Sequence, residues 1–194
     1  VSEGDKGRIA IISKKAAELL KTHDMVIGTD VDEFITPDPA CGKSLPEFLS
    51  AINTGKRKCI SPLGCDVVEN TSCESPLQPD RPILSQRSYA MLSTRYTKAS
   101  VLCAPLPWGS GFHRVRGSDF HIQPDLYLFH FGCADASDVL EKLSDPDLAS
   151  RGWTAHLKKR RRLLETISRL PARDWDKWTA RARRIQTAIR PPWA

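Results

Sequence analysis

Residues 25–34, Met-Val-Ile-Gly-Thr-Asp-Val-Asp-Glu-Phe, constrain this chain more than any other stretch. A short apolar, β-prone run delivers Asp30 and Asp32 to the point where a strand is expected to give way to a loop cut by Pro37 and Pro39. In an α/β sheet ligands bind there, because loops beyond the carboxyl ends of strands converge on a backbone fixed from below. Asp30, Asp32 and Glu33 repel one another and need a proton or a cation to share one place. Oxygen-only donors favour Mg2+ or Mn2+, which keep coordination positions open for phosphate oxygens. A bare Asp-x-Asp also serves simply as a solvated loop cap, so the pattern needs support from elsewhere in the chain.

The length, 194 residues, suits one substantial domain with an appendage. The expected division is an α/β catalytic portion over 1–147 and a basic helical extension over 148–194. The longest apolar runs are far below the roughly 20 residues that span a bilayer, and no leader-like segment opens the chain. Six cysteines without a Cys-x-x-Cys pair or zinc-finger spacing read as reduced thiols in a cytoplasmic protein. The net charge of +6 is uneven: from Arg151 onward 13 Lys and Arg face 3 Asp and Glu, leaving the first 150 residues at −4.

Apolar spacing predicts a helix from about Lys6 to Lys21, with Ile9, Ile12, Ala16, Leu19 and Leu20 on one face. Ser44-Leu45-Pro46-Glu47 reads as a capping box opening a helix to about Asn53, ended by Thr54-Gly55. Cys59-Ile60 and Val67-Val68 read as strand pieces around Ser61-Pro62-Leu63-Gly64, and residues 70–82 as a long loop. Ile83–Ala90 is a strand or short helix, Ser100–Ala104 a strand, and Trp108–His113 a flexible turn. Leu126–Gly132 reads as a buried strand with His130 near its end. Helices follow over Asp135–Leu143, Leu148–Leu170 and about Arg173–Ile189. The missing initiator Met suggests a sequence that starts inside a longer protein.

The order Asp-Met-Val-Ile-Gly-Thr-Asp-Val-Asp-Glu-Phe-Ile, then Ser-Leu-Pro-Glu-Phe-Leu, then Gly-Phe-His at 111–113, then Leu-Tyr-Leu-Phe-His-Phe at 126–131 resembles the glycosyltransferase family 2-like proteins. The likeness runs from about Lys6 to Asp135. It implies a GT-A fold, a Rossmann-like sheet binding a nucleotide-sugar, here without its first βα units. It also implies that Asp32 ligates Mn2+ or Mg2+, that Asp30 contacts the ribose or a metal-bound water, and that His130 adds a further metal contact. His113 would touch phosphate or acceptor, and the donor would be a nucleotide-diphosphate sugar, UDP-sugar first. Arg87, Arg95 and Lys98 are placed to assist with phosphate charge. Glu74, Asp119 and Asp135 are the candidate bases for deprotonating a glycan, lipid or other acceptor.

Two other classes fit parts of the pattern. Haloacid dehalogenase-like phosphatases also follow an apolar strand with Asp-x-Asp, which would make Asp30 a phosphoryl-accepting nucleophile and Asp32 a general acid. Against this, Glu33-Phe34 stands where a Gly-Thr usually sits. Lys158-Lys159-Arg160-Arg161-Arg162 and the later arginines, interleaved with Trp153, Trp175, Trp178 and Trp193, point instead to a binding module. For that tail a solvated helical face or peripheral contact with an anionic membrane is expected, and nucleic acid is not.

Overall fold

A computed structural model describes residues 3–52, 57–109, 114, 115 and 121–170. The expected helix over 173–189 and the expected stop at Asn53 to Gly55 lie outside those residues, while the helix beginning at Leu45 already closes at Ser50. The described chain is an α/β protein containing a six-stranded sheet in the order β1-β5-β3-β6-β2, with β4 beside β3. Its strands are β1 (Val26–Ile27), β2 (Glu33–Pro37), β3 (Cys59–Val68), β4 (Ala90–Leu92), β5 (Val101–Leu102) and β6 (Ile122–Cys133). The helices are α1 (Glu3–Leu19), α2 (Leu45–Ser50), α3 (Ala136–Ser144), α4 (Pro146–Ser150) and α5 (Thr154–Ile167).

Two compact units share the chain. Of the described residues, the first takes those up to Cys65 and Ser93–Phe129, the second Asp66–Leu92 and those from His130 onward, so β3 and β6 each pass from one to the other. In the first unit the period-two alternation of strands sets the packing. Cys59 and Leu102 join Ile9, Ala16, Ala99 and Trp108 in one apolar cluster. Their neighbours Ile60 and Val101 join Ile35, Leu49, Tyr96, Leu126 and Leu128 in another. Thus α1 covers one face and α2 the other. Each wholly buried Leu, Ile or Val contributes about 1.5–3 kcal/mol.

The capping box at α2 forms as the sequence indicates. Glu47 Oε2 accepts from the Ser44 backbone N–H at 2.8 Å and from its hydroxyl at 2.6 Å. Those bonds, the hydroxyl's first, hold the Glu47 carboxyl below its usual range.

Three expectations are corrected. The strand expected to carry the acids at its end stops at Ile27, the acids sit in a turn, and β2 (Glu33–Pro37) stands where a loop was expected. Glu33 N–H donates to the Asp30 carbonyl at 3.1 Å, which closes that turn. The two strand pieces flanking Ser61–Gly64 form one ten-residue strand, β3. Ser61 N–H donates to the His121 carbonyl, so Pro62, the next position, turns its missing donor to the other flank. There β5 pairs with Cys59 and Ile60, short of Pro62. Gly64 is demanded by close approach, since a Cβ there would lie 2.2 Å from the Tyr96 carbonyl carbon. Finally, the helix drawn over Leu148–Leu170 is two, α4 and α5, parted at Gly152, whose φ of +82° lies in the left-handed region.

The turn also fixes how the first unit's sheet is shaped. β1 and β2 stand at opposite ends of the strand order yet are joined by residues 28–32 alone. Four inter-strand steps of a flat sheet add to about 19 Å, whereas the three links from Ile27 to Asp30 reach at most about 11 Å and the closed turn from Asp30 to Glu33 spans less than about 7 Å. The sheet therefore curls, and the acidic turn lies where its two edges are drawn together.

The second unit is built on Val68, Tyr89, Cys133, Val139, Leu164 and Ile167, with α3 packed on α5. The whole stretch from Thr71 to Pro82 is irregular, as expected, followed by a short 3-10 turn, Ile83–Ser85, and then β4. All six cysteines are thiols. No helix among the described residues is long and apolar enough to cross a membrane.

Candidate functional site

The β1–β5 ladder ends just short of the acids. Val26 pairs with Leu102 and Ile27 with Val101, and Gly28 N–H continues the antiparallel ladder by donating to the Ser100 carbonyl at 2.8 Å. Lys98 lies two residues before Ser100, beyond the end of that ladder, and its side chain reaches the acids. The Lys98 ammonium lies 2.7 Å from Glu33 Oε1 and 3.5 Å from Asp30 Oδ2. The Lys98 side chain is 0% exposed and that of Glu33 1%. Glu33 Oε2 also accepts the Asp30 backbone N–H at 3.0 Å, so one carboxylate ties the turn's two ends and the lysine together.

Asp30 keeps 34% of its side chain in water, and its other oxygen lies 3.6 Å from Arg8 Nη1, on α1, itself half exposed. Asp32 is half-buried, between the exposed Val31 and Glu33. The turn thus holds the Lys98–Glu33 pair on its inner side and carries the Asp30 and Asp32 carboxylates on its partly exposed outer side. Hard oxygen donors of this kind fit Mg2+ or Mn2+. Among the described residues no three His, Cys, Asp or Glu side chains form a group that could hold a metal ion. Two carboxylates suit instead an ion that arrives with phosphate oxygens of its own, the usual habit of Mg2+.

His130 lies in the second unit. Its Nδ1 is 2.7 Å from Asp66 Oδ1 and its Nε2 3.3 Å from Arg160 Nη2. A guanidinium only donates, so Nε2 is the acceptor and Nδ1 carries the proton given to Asp66. Arg160 Nη1 also donates to the Gly132 carbonyl at 3.0 Å. The lone pair that a metal ion would use on this imidazole is therefore directed at Arg160. That environment also reaches Cys133, whose thiol is pushed up to about 12, by burial first and the Asp66 charge second.

The other sequence-nominated residues separate. Arg87 is fully buried in the second unit, with Nε donating to the Ala134 carbonyl at 2.6 Å, Nη1 to the Ser75 and Gln86 carbonyls, and Nη2 3.5 Å from Glu69. It holds the irregular 70–88 stretch to the end of β6. Glu74 does related work, accepting the N–H groups of Asn70 at 2.7 Å and Ser88 at 2.5 Å. Asp135 caps α3, accepting from the N–H groups of Ser137 and Asp138 and from the Ser137 hydroxyl. The Ser137 hydroxyl is the main reason its carboxyl is held below the usual range. Arg95 is exposed. His113 and Asp119 lie outside the described residues.

Sequence reasoning did not nominate Asp66, Arg160 or Arg8, nor Glu33 as the partner of Lys98. The only trace of Arg160 was its place in the basic run, where spacing on α5 turns it inward between the buried Leu157 and Leu164. Comparison with known proteins returned no match: no family model, no curated protein and no solved structure resembles this chain closely enough to match it.

Proposed function

We propose that this chain transfers a sugar from a nucleotide-diphosphate donor, UDP-sugar first, to a glycan, lipid or other acceptor, with Mn2+ or Mg2+ at Asp30 and Asp32. One observation carries the reading: the acidic turn, half open to water, is built on a buried Lys98–Glu33 pair at the closure of a curled sheet. A simple solvated cap has no need of a fully desolvated lysine beneath it. Rigid support under exposed carboxylates is what a binding turn requires.

A divalent ion there would neutralise charge gathering on the departing diphosphate. The chain's own residues fix the turn and exclude water from its inner side. In this reading the sheet is the later part of a GT-A domain, working in the cytoplasm, and His113 contacts phosphate or acceptor. Of the carboxylates considered for taking the acceptor proton, Glu74 and Asp135 are engaged with backbone N–H groups, which favours Asp119. The exposed cations of α5, Lys158, Lys159 and Arg162, suit peripheral contact with anionic lipid where the acceptor is a lipid.

The test is calorimetric titration of Mn2+ into the chain with and without UDP, beside Asp32→Ala. Metal-dependent UDP binding that the substitution abolishes is the expected result. Absence of UDP binding at any Mn2+ concentration, in this chain and in a version extended at its N-terminus, would overturn the assignment.

A further inference from the structure

A cavity of about 350 Å3 opens beside α2, lined by Lys43, Phe48, Ala51, Ile52, Arg57 and Gln123, all in the first unit. None of these residues belongs to the acidic turn. We infer that the cavity binds a small phosphate monoester with an aromatic or apolar body, its phosphate held by Arg57 and Lys43 and its body lying on Phe48 and Ile52. This binding site stands beside the sugar-transfer reading and does not depend on it.

The sequence of α2 makes the apolar wall. Leu45, Phe48, Leu49 and Ile52 recur at the spacing of one helical face. Leu49 is buried in the core cluster beneath, whereas Phe48 and Ile52 pack on that cluster only in part, and they also line the cavity. The polar wall is fixed from both ends of the helix. Gly42, at a left-handed φ of +61°, and the capping box at Ser44 hold Lys43 between them just ahead of α2. Arg57 stands two residues before β3, and its Nη1 donates to Gln123 Oε1, on β6, at 2.6 Å.

The partner of Arg57 is a neutral amide, so the bond orients the guanidinium without neutralising it. Among the described residues neither Arg57 nor Lys43 is in an ion pair. The Glu47 carboxylate feels the Lys43 charge but is engaged with Ser44. With Nη1 held, Nε and Nη2 of Arg57 form the planar fork that matches two phosphate oxygens. A phosphate monoester carries about −1.5 to −2 at pH 7, which two cations complement, whereas a carboxylate brings a single charge. The volume is at the small end of ligand cavities, roughly 300–1,000 Å3, and suits a free metabolite of one ring. Its half-open walls keep the affinity modest and dependent on salt.

The experiment titrates phenyl phosphate into the full 15N-labelled chain and follows its amide shifts, beside inorganic phosphate, phenol and vesicles containing phosphatidic acid. It compares the unmodified chain with Arg57→Met, Lys43→Met and Phe48→Leu, each checked by its melting curve. Lys14→Met removes the same charge from an exposed position on α1, over the other sheet face. Phenyl phosphate should give saturable shifts at Lys43, Phe48 to Ile52 and Arg57, with inorganic phosphate and phenol each at least about tenfold weaker. Arg57→Met should weaken binding about ten- to hundredfold, the range of a hydrogen bond to a charged group, and Phe48→Leu about two- to tenfold. Lys43→Met, at an exposed side chain, should also weaken it and gives a reading that does not depend on how Arg57→Met folds. Lys14→Met should leave it unchanged. Absence of saturable shifts at these residues, or equal weakening by Lys43→Met and Lys14→Met, overturns the inference. Inorganic phosphate binding as tightly as phenyl phosphate would overturn it too, as would capture by the vesicles at lower phosphate concentration, which would make the occupant a lipid.

Discussion

The Lys98 ammonium and the Glu33 carboxylate meet at 2.7 Å with both side chains out of water. The pair lies 65 positions apart in sequence and is brought together at the end of one antiparallel ladder by one turn. Replacing one member alone leaves a buried charge, so Lys98→Met should lower stability by about 3–5 kcal/mol. Lys98→Met/Glu33→Gln should recover most of that loss. Urea unfolding followed by Trp108 fluorescence, which reports the same unit, distinguishes the two; equal losses would mean the pair is not coupled.

His130 should be a neutral imidazole protonated on Nδ1. Asp66 accepts that proton and Arg160 faces Nε2, an arrangement that leaves no choice of tautomer. Long-range 1H–15N correlation spectra should show a bare Nε2 in the unmodified chain. In Asp66→Ala the Nδ1 proton loses its buried acceptor, at a cost of about 1–3 kcal/mol. A protonated Nε2 in the unmodified chain would contradict the geometry.

Asp135 makes α3 sensitive to acid in a direction that follows from its cap. Its folded carboxyl lies below the unfolded value near 3.9, so its stabilisation is present above that value and is lost as the pH falls through the folded one. Asp135→Ala should cost about 0.5–2 kcal/mol at pH 7 and much less at pH 2. Asp135→Asn, which still caps, should fall between. Urea midpoints at the two pH values test this.

The thiols should react in order of burial. Burial pushes Cys103 up to about 11 and Cys133 up to about 12, so at pH 8 only about one Cys103 in a thousand is thiolate. Cys73 is exposed. Brief treatment with iodoacetamide should label Cys73 first and Cys133 only after denaturation, as read by peptide mass mapping. Early labelling of Cys133 would mean that the α3–α5 core opens readily.

The elements legible in the sequence are those whose signals are local. The capping box at Ser44, the helix that follows Asp135 and the apolar run of β6 each lie within a few consecutive residues, and each forms where expected. The irregular stretch after Asn70 is likewise a matter of composition. What could not be read depends on partners distant in the chain. Pro62 and Gly64 look like strand breakers until the short reach of β5 and the backbone at 96–97 are seen beside them. Lys98 reads as a phosphate-binding residue because its contact with Glu33 and Asp30 is not written in its neighbours. The acidic turn was not legible as a turn, since apolar residues continue through Val31 and Phe34.

Among the described residues the chain passes between its compact units at 65/66, 92/93 and 129/130, and these crossings bear on how the molecule comes apart. The second unit is an inserted hairpin completed by a later stretch, so neither unit is a contiguous gene segment. A protease that cuts once between Thr71 and Pro82 leaves each fragment rooted through a long strand, β3 in one and β6 in the other. Such a nicked chain should elute from a sizing column as a single particle and separate only in denaturant.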